Sequence, residues 1–541
     1  MLSAAICLVA VALAGLTVLG HPPAIAAGPT LIGFASQTPT LDWPTFDPST
    51  RQPTNTPAPP RPTRTPHPTW TPAPTGTFPP GEAQSAGDIG PIAAGPAGDS
   101  PLGLITSVPD PADVPEVALG VDLDYTHRWA RVEQIVKARN TSHAAWSEVV
   151  FSIPLAALGG FALDAAAAGS PSQPASARLD GMMLHVQLAA PVQPGQLAQV
   201  ELRYRIQVGA VSLYSSFPAG NNGLSGGVLR LGEWYPAIAP YRDGQGWETW
   251  QYQPIGDPTI YPATNTTLAV RAPTGVTVVS GGFYAHDGDV WRFRVQAARA
   301  MPIFASDQFH EVDGSAGNLP LRCFTVGEQP DAANAAIGAA RDAISLYEDD
   351  YGPYPYQSLD IVENGYTGDM EYSALVSISD RAFSTSGGKG SLLMHTLLAH
   401  ETAHQWWYGG VGNDQVYEPW LDEGLATYSE SLYWDRYLDS GSGALLAAFR
   451  AEDLGTTIDF SIYDYPTPAQ YQQALYPRAA LFLDALRHTV GDQAFFDFLR
   501  DYQSRLRGKL ATTSDFFATL RLHTNADLSA LLDAYFSDPN R

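Results

Sequence analysis

The sequence predicts a multidomain chain in which an antiparallel β domain is followed by an α+β domain that ends in helices. Its 541 residues exceed the size at which one hydrophobic core keeps growing. Residues 105–312 show short β-branched and aromatic runs broken by Gly, Pro, Asn and Asp, the punctuation of strands and turns. After about Asp331 the apolar residues recur with a helical period.

The chain begins with an uncharged apolar run over residues 2–20, followed by Ala24-Ile25-Ala26, a small-x-small pattern of the kind cleaved from export signals. Residues 1–27 are therefore expected to be a signal peptide or, since the run is long enough to span a bilayer, a membrane anchor. Either reading places the rest of the chain outside the cytoplasm, secreted or tethered to a membrane or cell wall. Residues 28–104 are expected to be a disordered linker. Its stretch Gln37 to Pro80 is dominated by Pro and Thr with few aliphatic side chains to bury, so it should be an extended spacer.

Charge narrows the function. Acidic residues outnumber basic ones 55 to 30, a formal charge of −25, which repels polyanions and disfavours nucleic acid as a partner. Of two cysteines, Cys7 lies in the leader, so Cys323 is alone beyond it and no internal disulfide is expected.

Within 105–312, Ala130 to Val136, Gln199 to Val208, Thr267 to Val270 and Val276 to Val279 have strand composition, and His286-Asp287-Gly288 has that of a hairpin turn. Trp234 and Tyr235 are expected in its core, and this half shows no catalytic constellation. Within 313–541, helices are expected over Ala333 to Tyr347, Ser391 to Tyr408, Glu418 to Tyr437, Ala469 to Val490, Gln493 to Leu506 and Ser514 to Leu522. Leu359 to Val362 and Ala374 to Ile378 are expected to be strands around a glycine-containing turn.

The chemistry concentrates in the segment His400-Glu401-Thr402-Ala403-His404, where one helical turn separates two histidines. That spacing points both imidazoles from one face at a zinc ion, with Glu401 beside them as a general base on zinc-bound water. Eighteen residues separate His404 from Glu423, in Trp420-Leu421-Asp422-Glu423-Gly424, which supplies a third ligand. Three protein ligands leave a fourth position open, the arrangement of catalytic rather than structural zinc. Glu430 shares the helical face of Glu423 and is a candidate acceptor for the second nitrogen of a zinc-bound histidine, with a surface acid as the competing reading. His395, five residues before the motif, faces elsewhere and is read as structural.

Both segments together, the first extended by Gln405-Trp406 and the second by Leu425-Ala426-Thr427-Tyr428, resemble the aminopeptidase N / leukotriene hydrolase family of gluzincin zinc metallopeptidases. Met301-Pro302-Ile303-Phe304-Ala305 and Gly352-Pro353-Tyr354-Pro355-Tyr356 are similar to it as well. The resemblance implies a thermolysin-like catalytic domain, one Zn²⁺ ion, and removal of the first residue from peptides with a free N-terminus. It makes Gly368-Asp369-Met370-Glu371-Tyr372 the segment that binds substrate, with Glu371 as the anchor of the free amine and Gly368 and Met370 beside it. It makes Tyr476 in Ala474-Leu475-Tyr476-Pro477-Arg478 the support of the tetrahedral oxyanion, Tyr471 being the alternative. The family usually has Ala and Asn where this chain has Asp369 and Tyr372. A zinc endopeptidase or other hydrolase of the same fold, and a catalytically silent binding protein, are the competing functions. Only 118 residues follow Glu423, which implies helices completing the catalytic domain and a more open cleft.

Overall fold

The computed structural model describes residues 102–105, 107–211, 219–384, 391–439 and 441–537. The expected leader, 1–27, and all but the last three residues of the expected linker, 28–104, lie outside the described residues. Among the described residues no helix is long and apolar enough to cross a membrane.

The first half is built on an eight-stranded sheet. In space its strands run Phe283–Asp287, Val290–Ala298, Thr264–Arg271, Glu116–Asp124, Trp129–Arg139, Leu197–Gln207, Phe161–Ala168 and Gln173–Pro174. Pairing is antiparallel except between Glu116–Asp124 and Thr264–Arg271. Along Leu197–Gln207 the buried residues Ala198, Val200, Leu202, Tyr204 and Ile206 alternate with more exposed ones, so one face is covered and the other meets water. The covered face shares a core with Trp146–Ser152, Met183–Val192, Val228–Leu231 and Ile303–Ser306 from two further sheets. Trp234 and Tyr235 lie in that core, edge to face. The hairpin at Asp287-Gly288 turns where the lack of a Cβ lets Gly288 adopt a φ of 62°.

The second half opens with a four-stranded mixed sheet in the order Phe309–Ala316, Leu319–Val326, Leu359–Glu363, Leu375–Ile378, the last three strands parallel. Strand Phe309–Ala316 crosses the expected 312/313 boundary and pairs throughout with Leu319–Val326, so its hydrogen bonds place it with the second half. Helix α1, Pro330–Tyr351, packs on the sheet through Ala333, Ala336, Ile337, Ala340 and Ile344; Gly314 has no side chain because Ile337 fills that space. Helix α2, Leu392–Ala403, and helix α3, Trp420–Tyr433, carry the motif residues, followed by α4, Ala479–Val490, and α5, Asp492–Leu506. The Tyr347 hydroxyl donates to the Ala399 carbonyl at 2.9 Å, and Ser429 of α3 meets the Tyr351 hydroxyl at 2.9 Å and the Trp407 indole at 3.2 Å. Buried polar bonds of this kind fix α1, α2 and α3 in one register.

Two expected helices end or break early. The apolar pattern runs on to Tyr408, but α2 stops at Ala403, since Gly409, Gly410 and Val411 turn back to the carbonyls of His404, Gln405 and Trp406 and Tyr408 takes a φ of 126°. The expected helix Ala469 to Val490 is three pieces: Pro468–Gln473, a wide turn over Ala474–Arg478, and α4. Pro477 lacks the amide hydrogen that a regular helix requires at that position, so the backbone widens there.

The tight turn after α2 is held by Arg299, 1% exposed, from the first half. Its guanidinium donates to the carbonyls of Tyr408, Tyr261 at 2.9 Å and Lys509 at 2.8 Å. One side chain thus joins the β half, the end of the histidine helix and the C-terminal region. Arg299→Met keeps the length but leaves these buried carbonyls without donors, and should lower the unfolding free energy by about 3 kcal/mol or more. Urea denaturation of both proteins measures it, and an unchanged midpoint would refute the clamp.

Candidate metal centre

Helix α2 starts at Ser391, whose side chain caps the Met394 amide, and one turn near its end aligns His400 with His404. Both are almost fully buried. Their Nε2 atoms stand 3.1 Å apart, and Glu423 Oε2, from the first turn of α3, lies 3.3 Å from one and 3.4 Å from the other. A tetrahedral zinc ion with ligands at about 2.0–2.1 Å sets neighbouring ligand atoms about 3.3 Å apart, so this triangle has the edge length a zinc ion requires. Glu423 Oε2 has no hydrogen-bond partner of its own, an orphaned buried acceptor that a cation satisfies. The donor set and its spacing fit zinc.

The remaining atoms of these residues are held by neighbours. His404 Nδ1 lies 2.9 Å from the Trp407 carbonyl, which fixes the tautomer with Nε2 free to ligate. His400 Nδ1 faces Glu430 Oε2 at 3.4 Å, a charge contact too long for a well-made hydrogen bond. The Tyr476 hydroxyl donates to Glu423 Oε1, and its ring stacks on the His400 imidazole with centroids 5.7 Å apart. Tyr471 instead lies with its hydroxyl against Gly256 of the β half. His395 meets the Tyr433 hydroxyl at 2.7 Å, away from the ligand set.

Glu371 and Glu401 form a second cluster around His404, with one ligand atom of each residue within 4.8 Å of the others. Both are buried, and each has a carboxylate oxygen without a partner. Glu371 is positioned by its segment: Met370 pairs with Ser377 across a short bridge, and Asn364 Nδ2 donates to the Gly368 carbonyl at 2.7 Å. Gly368 sits against the Tyr366 ring, where a Cβ would come within 2.6 Å.

Gln405 completes the positioning, a residue whose role its place beside the motif does not announce. Its side chain accepts from the Ala374 amide at 2.9 Å and donates to the Tyr372 carbonyl at 3.1 Å, tying the Glu371 segment to the end of the histidine helix. Asp422 is equally silent in the sequence; Asn413 and Gln415 hold it at 3.0 and 2.8 Å, and it receives the Glu423 amide at 3.0 Å. The β half contributes two more buried acids, Glu233 and Asp257, both close enough to Glu371 to feel its charge. In the sequence, the lone acids in Gly232-Glu233-Trp234 and Gly256-Asp257-Pro258 have the look of turn residues.

Electrostatics follow from burial. Burial raises the Glu423 carboxyl, but the facing imidazoles of His400 and His404 outweigh it and hold it at about 2. Burial lowers both imidazoles, yet Glu423 and Glu430 raise His400 to about 10, and Glu371 with Glu423 raises His404 to about 9. Burial, then the Glu371 charge, pushes Glu401 well above the ordinary carboxyl range. A divalent cation between the imidazoles lowers His400, His404 and Glu401 and keeps Glu423 ionised.

The model of the peptidase family M1 domain matches residues 335–535. The matched segment takes in His400, Glu401, His404 and Glu423. The chain is 25% identical over 297 residues to aminopeptidase N of Streptomyces lividans, covering 50% of this chain and 34% of that one. It is 24% identical over 247 residues to aminopeptidase M1-B of Oryza sativa subsp. japonica, covering 42% of this chain and 28% of that one. The chain thus spans about a third of the length of these relatives. In fold it is similar to an M1 zinc metallopeptidase mutant from Deinococcus radiodurans, solved with a Tyr-Ser-Ala substrate, at 17% identity and a TM-score of 0.59, covering 80% of this chain and 96% of that one. The β-rich first half and helical second half match that architecture.

Zinc uptake must displace protons from His400 and His404, which are raised above neutral pH, so zinc affinity should rise from pH 6 to pH 8 by more than tenfold. Titration against a competing chelator at both pH values reads this directly, and equal affinities would exclude the histidines as ligands. Glu430→Gln should weaken zinc binding roughly 10–100-fold by removing the carboxylate beside His400 Nδ1.

Proposed function

We propose that the protein is a zinc-dependent aminopeptidase that removes the first residue of peptides outside the cytoplasm, with one zinc ion held by His400, His404 and Glu423. The observation that carries this reading is the gathering of Glu371 and Glu401 in one buried cluster with His404, one ligand atom of each within 4.8 Å of the others. When bound, zinc supplies Lewis acidity that polarises the scissile carbonyl and favours ionisation of water.

The protein's own groups do the rest. Glu371 binds the substrate's ammonium by a charge-assisted contact, which places the first peptide bond, and no later one, at the metal. Glu401, on the same helix as both histidines, accepts the proton of the attacking water and returns it to the leaving amine. Tyr476 has one hydrogen to give. It is engaged with Glu423 Oε1 here, so support of the oxyanion requires it to turn from the ligand to the substrate. Glu430 steadies His400 from behind. The catalytic domain is read as thermolysin-like on the same grounds, a histidine helix leading into a helix that bears the third ligand. Location outside the cytoplasm rests on the leader pattern of residues 1–27, with the Pro/Thr-rich stretch as a spacer.

Hydrolysis of aminoacyl amides should vanish with 1,10-phenanthroline and return with zinc. Blocking the substrate amine with an acetyl group should lower kcat/KM roughly 10–100-fold through loss of the Glu371 contact. Equal rates on free and acetylated substrates would make the enzyme an endopeptidase. Glu401→Gln should retain zinc by metal analysis while losing about 10²–10⁴ in kcat; full turnover by that variant would remove Glu401 as the base.

A further inference from the structure

The aminopeptidase reaction leaves two carboxylates of the β half without a task. Glu233 is 1% exposed and neither of its carboxylate oxygens has a hydrogen-bond partner; Asp257 is 4% exposed and its Oδ1 has none. Neither is ion-paired with an arginine or lysine among the described residues. A buried carboxylate without a partner is among the costliest groups a fold can keep, so its retention points to a partner that arrives with a ligand.

The backbone that carries each acid is packed against the second half. Gly232 presses on Tyr372, the residue after Glu371: a Cβ at Gly232 would stand 2.2 Å from the Tyr372 hydroxyl. The Glu233 carbonyl receives the Leu155 amide at 3.3 Å, and the Trp234 indole donates to the Met301 carbonyl at 2.9 Å. Asp257 sits in a braced turn: the Trp250 indole donates to the Pro258 carbonyl at 2.8 Å, and Thr259 meets the Ser152 hydroxyl at 2.6 Å. Gly256, at a φ of 60°, lies flat on the Tyr471 hydroxyl of the second half. Burial, and after it the charges of Glu371, Glu423, Glu233 and Asp422, push the Asp257 carboxyl well above its ordinary range.

We propose that Glu233 and Asp257 receive the cationic side chain of the substrate's first residue, so that the enzyme selects peptides beginning with arginine or lysine. This rests on the aminopeptidase reading above. Glu371, in one cluster with Glu401 and His404, takes the ammonium, and the two acids from the β half then face a second positive charge. A guanidinium brings five donors in a planar fork and pairs with carboxylates even when dehydrated. A neutral side chain leaves the same oxygens unsatisfied, and discrimination by buried polar groups left unpaired is steep. Neither a shared proton nor a second metal fits the geometry. Sharing a proton needs a hydrogen bond between the acids, and none joins them; a second metal needs a third close ligand, and among the described residues neither acid belongs to a group of three. Burial and then the Glu371 charge raise Glu233 to about 8, a shift that an arriving cation relieves.

The test compares kcat/KM for the coumarylamides of arginine, lysine, leucine and alanine on the full chain with zinc. Arginine and lysine should exceed leucine and alanine at least tenfold. Glu233→Gln and Asp257→Asn should each lower the basic substrates at least tenfold while leaving leucine and alanine within about twofold. Preference for leucine or alanine in the unaltered enzyme, or equal losses on all four substrates, overturns the proposal while leaving the aminopeptidase reading intact. Absence of turnover on every substrate overturns that reading instead. Calorimetry of arginine amide and leucine amide binding to the zinc-loaded Glu401→Gln protein then still decides the pocket: leucine amide binding as tightly as arginine amide overturns it.

Discussion

The structure is organised around a concentration of buried carboxyl groups. Glu233, Asp257, Glu371, Glu401, Glu423 and Glu430 are each at most 6% exposed, and the basic side chains in contact with this group are the imidazoles of His400 and His404. Like charges at this density in a low-dielectric interior repel strongly. Such a centre persists only if its carboxyls take up protons or cations and if rigid packing keeps them from turning away. Both conditions shape the fold. The imidazoles and a divalent ion neutralise the side nearest α2 and α3, and the braces around them, Arg299, Gln405 and Asp422, fix backbone rather than adding positive charge to the cavity.

Much of this was legible in the residues. The histidine pair and Glu423 stand out because ligand geometry forces them into fixed spacing along the chain, one helical turn and then one loop. Strand and helix patterning likewise separated the β half from the helical half, because period-two and period-3.6 burial leave different marks. The helix end at Ala403 and the break at Pro477 were hidden for opposite reasons. Trp406 to Tyr408 continue the apolar pattern since they remain buried in the turn, and Leu475 and Tyr476 do so across the widened backbone. Apolar periodicity reports burial, and burial outlasts the helix in both places.

Contacts made across the two halves left no such mark. Glu233 and Asp257 lie 138 and 114 residues before Glu371, and no local spacing rule relates them to it. Arg299 looks like one more strand-end cation until its guanidinium is seen among the carbonyls of Tyr261, Tyr408 and Lys509. Gln405 follows the motif directly, yet a polar residue at a helix end has many ordinary uses. What these residues share is a hydrogen-bonding obligation that only tertiary structure creates, so composition and periodicity pass over them.

The distribution of roles between the halves follows from the same charge problem. The proposed chemistry requires that His400, Glu401, His404 and Glu423 keep their spacing to within a fraction of an ångström, and adjacent helices of one core provide that. Recognition of a substrate's first residue tolerates and exploits variation, and turns on a separate sheet provide that instead: Gly256 to Tyr261 could exchange Asp257 without disturbing α2 or α3, since the contacts that hold the turn come from Pro258, Thr259 and the backbone. Placing acids there adds carboxyls to a site already rich in them, a cost that makes sense if the molecule that enters carries more than one positive charge. The acidic balance of the whole chain, 55 acidic to 30 basic residues, extends a negative field outward and favours the approach of cations before any contact forms.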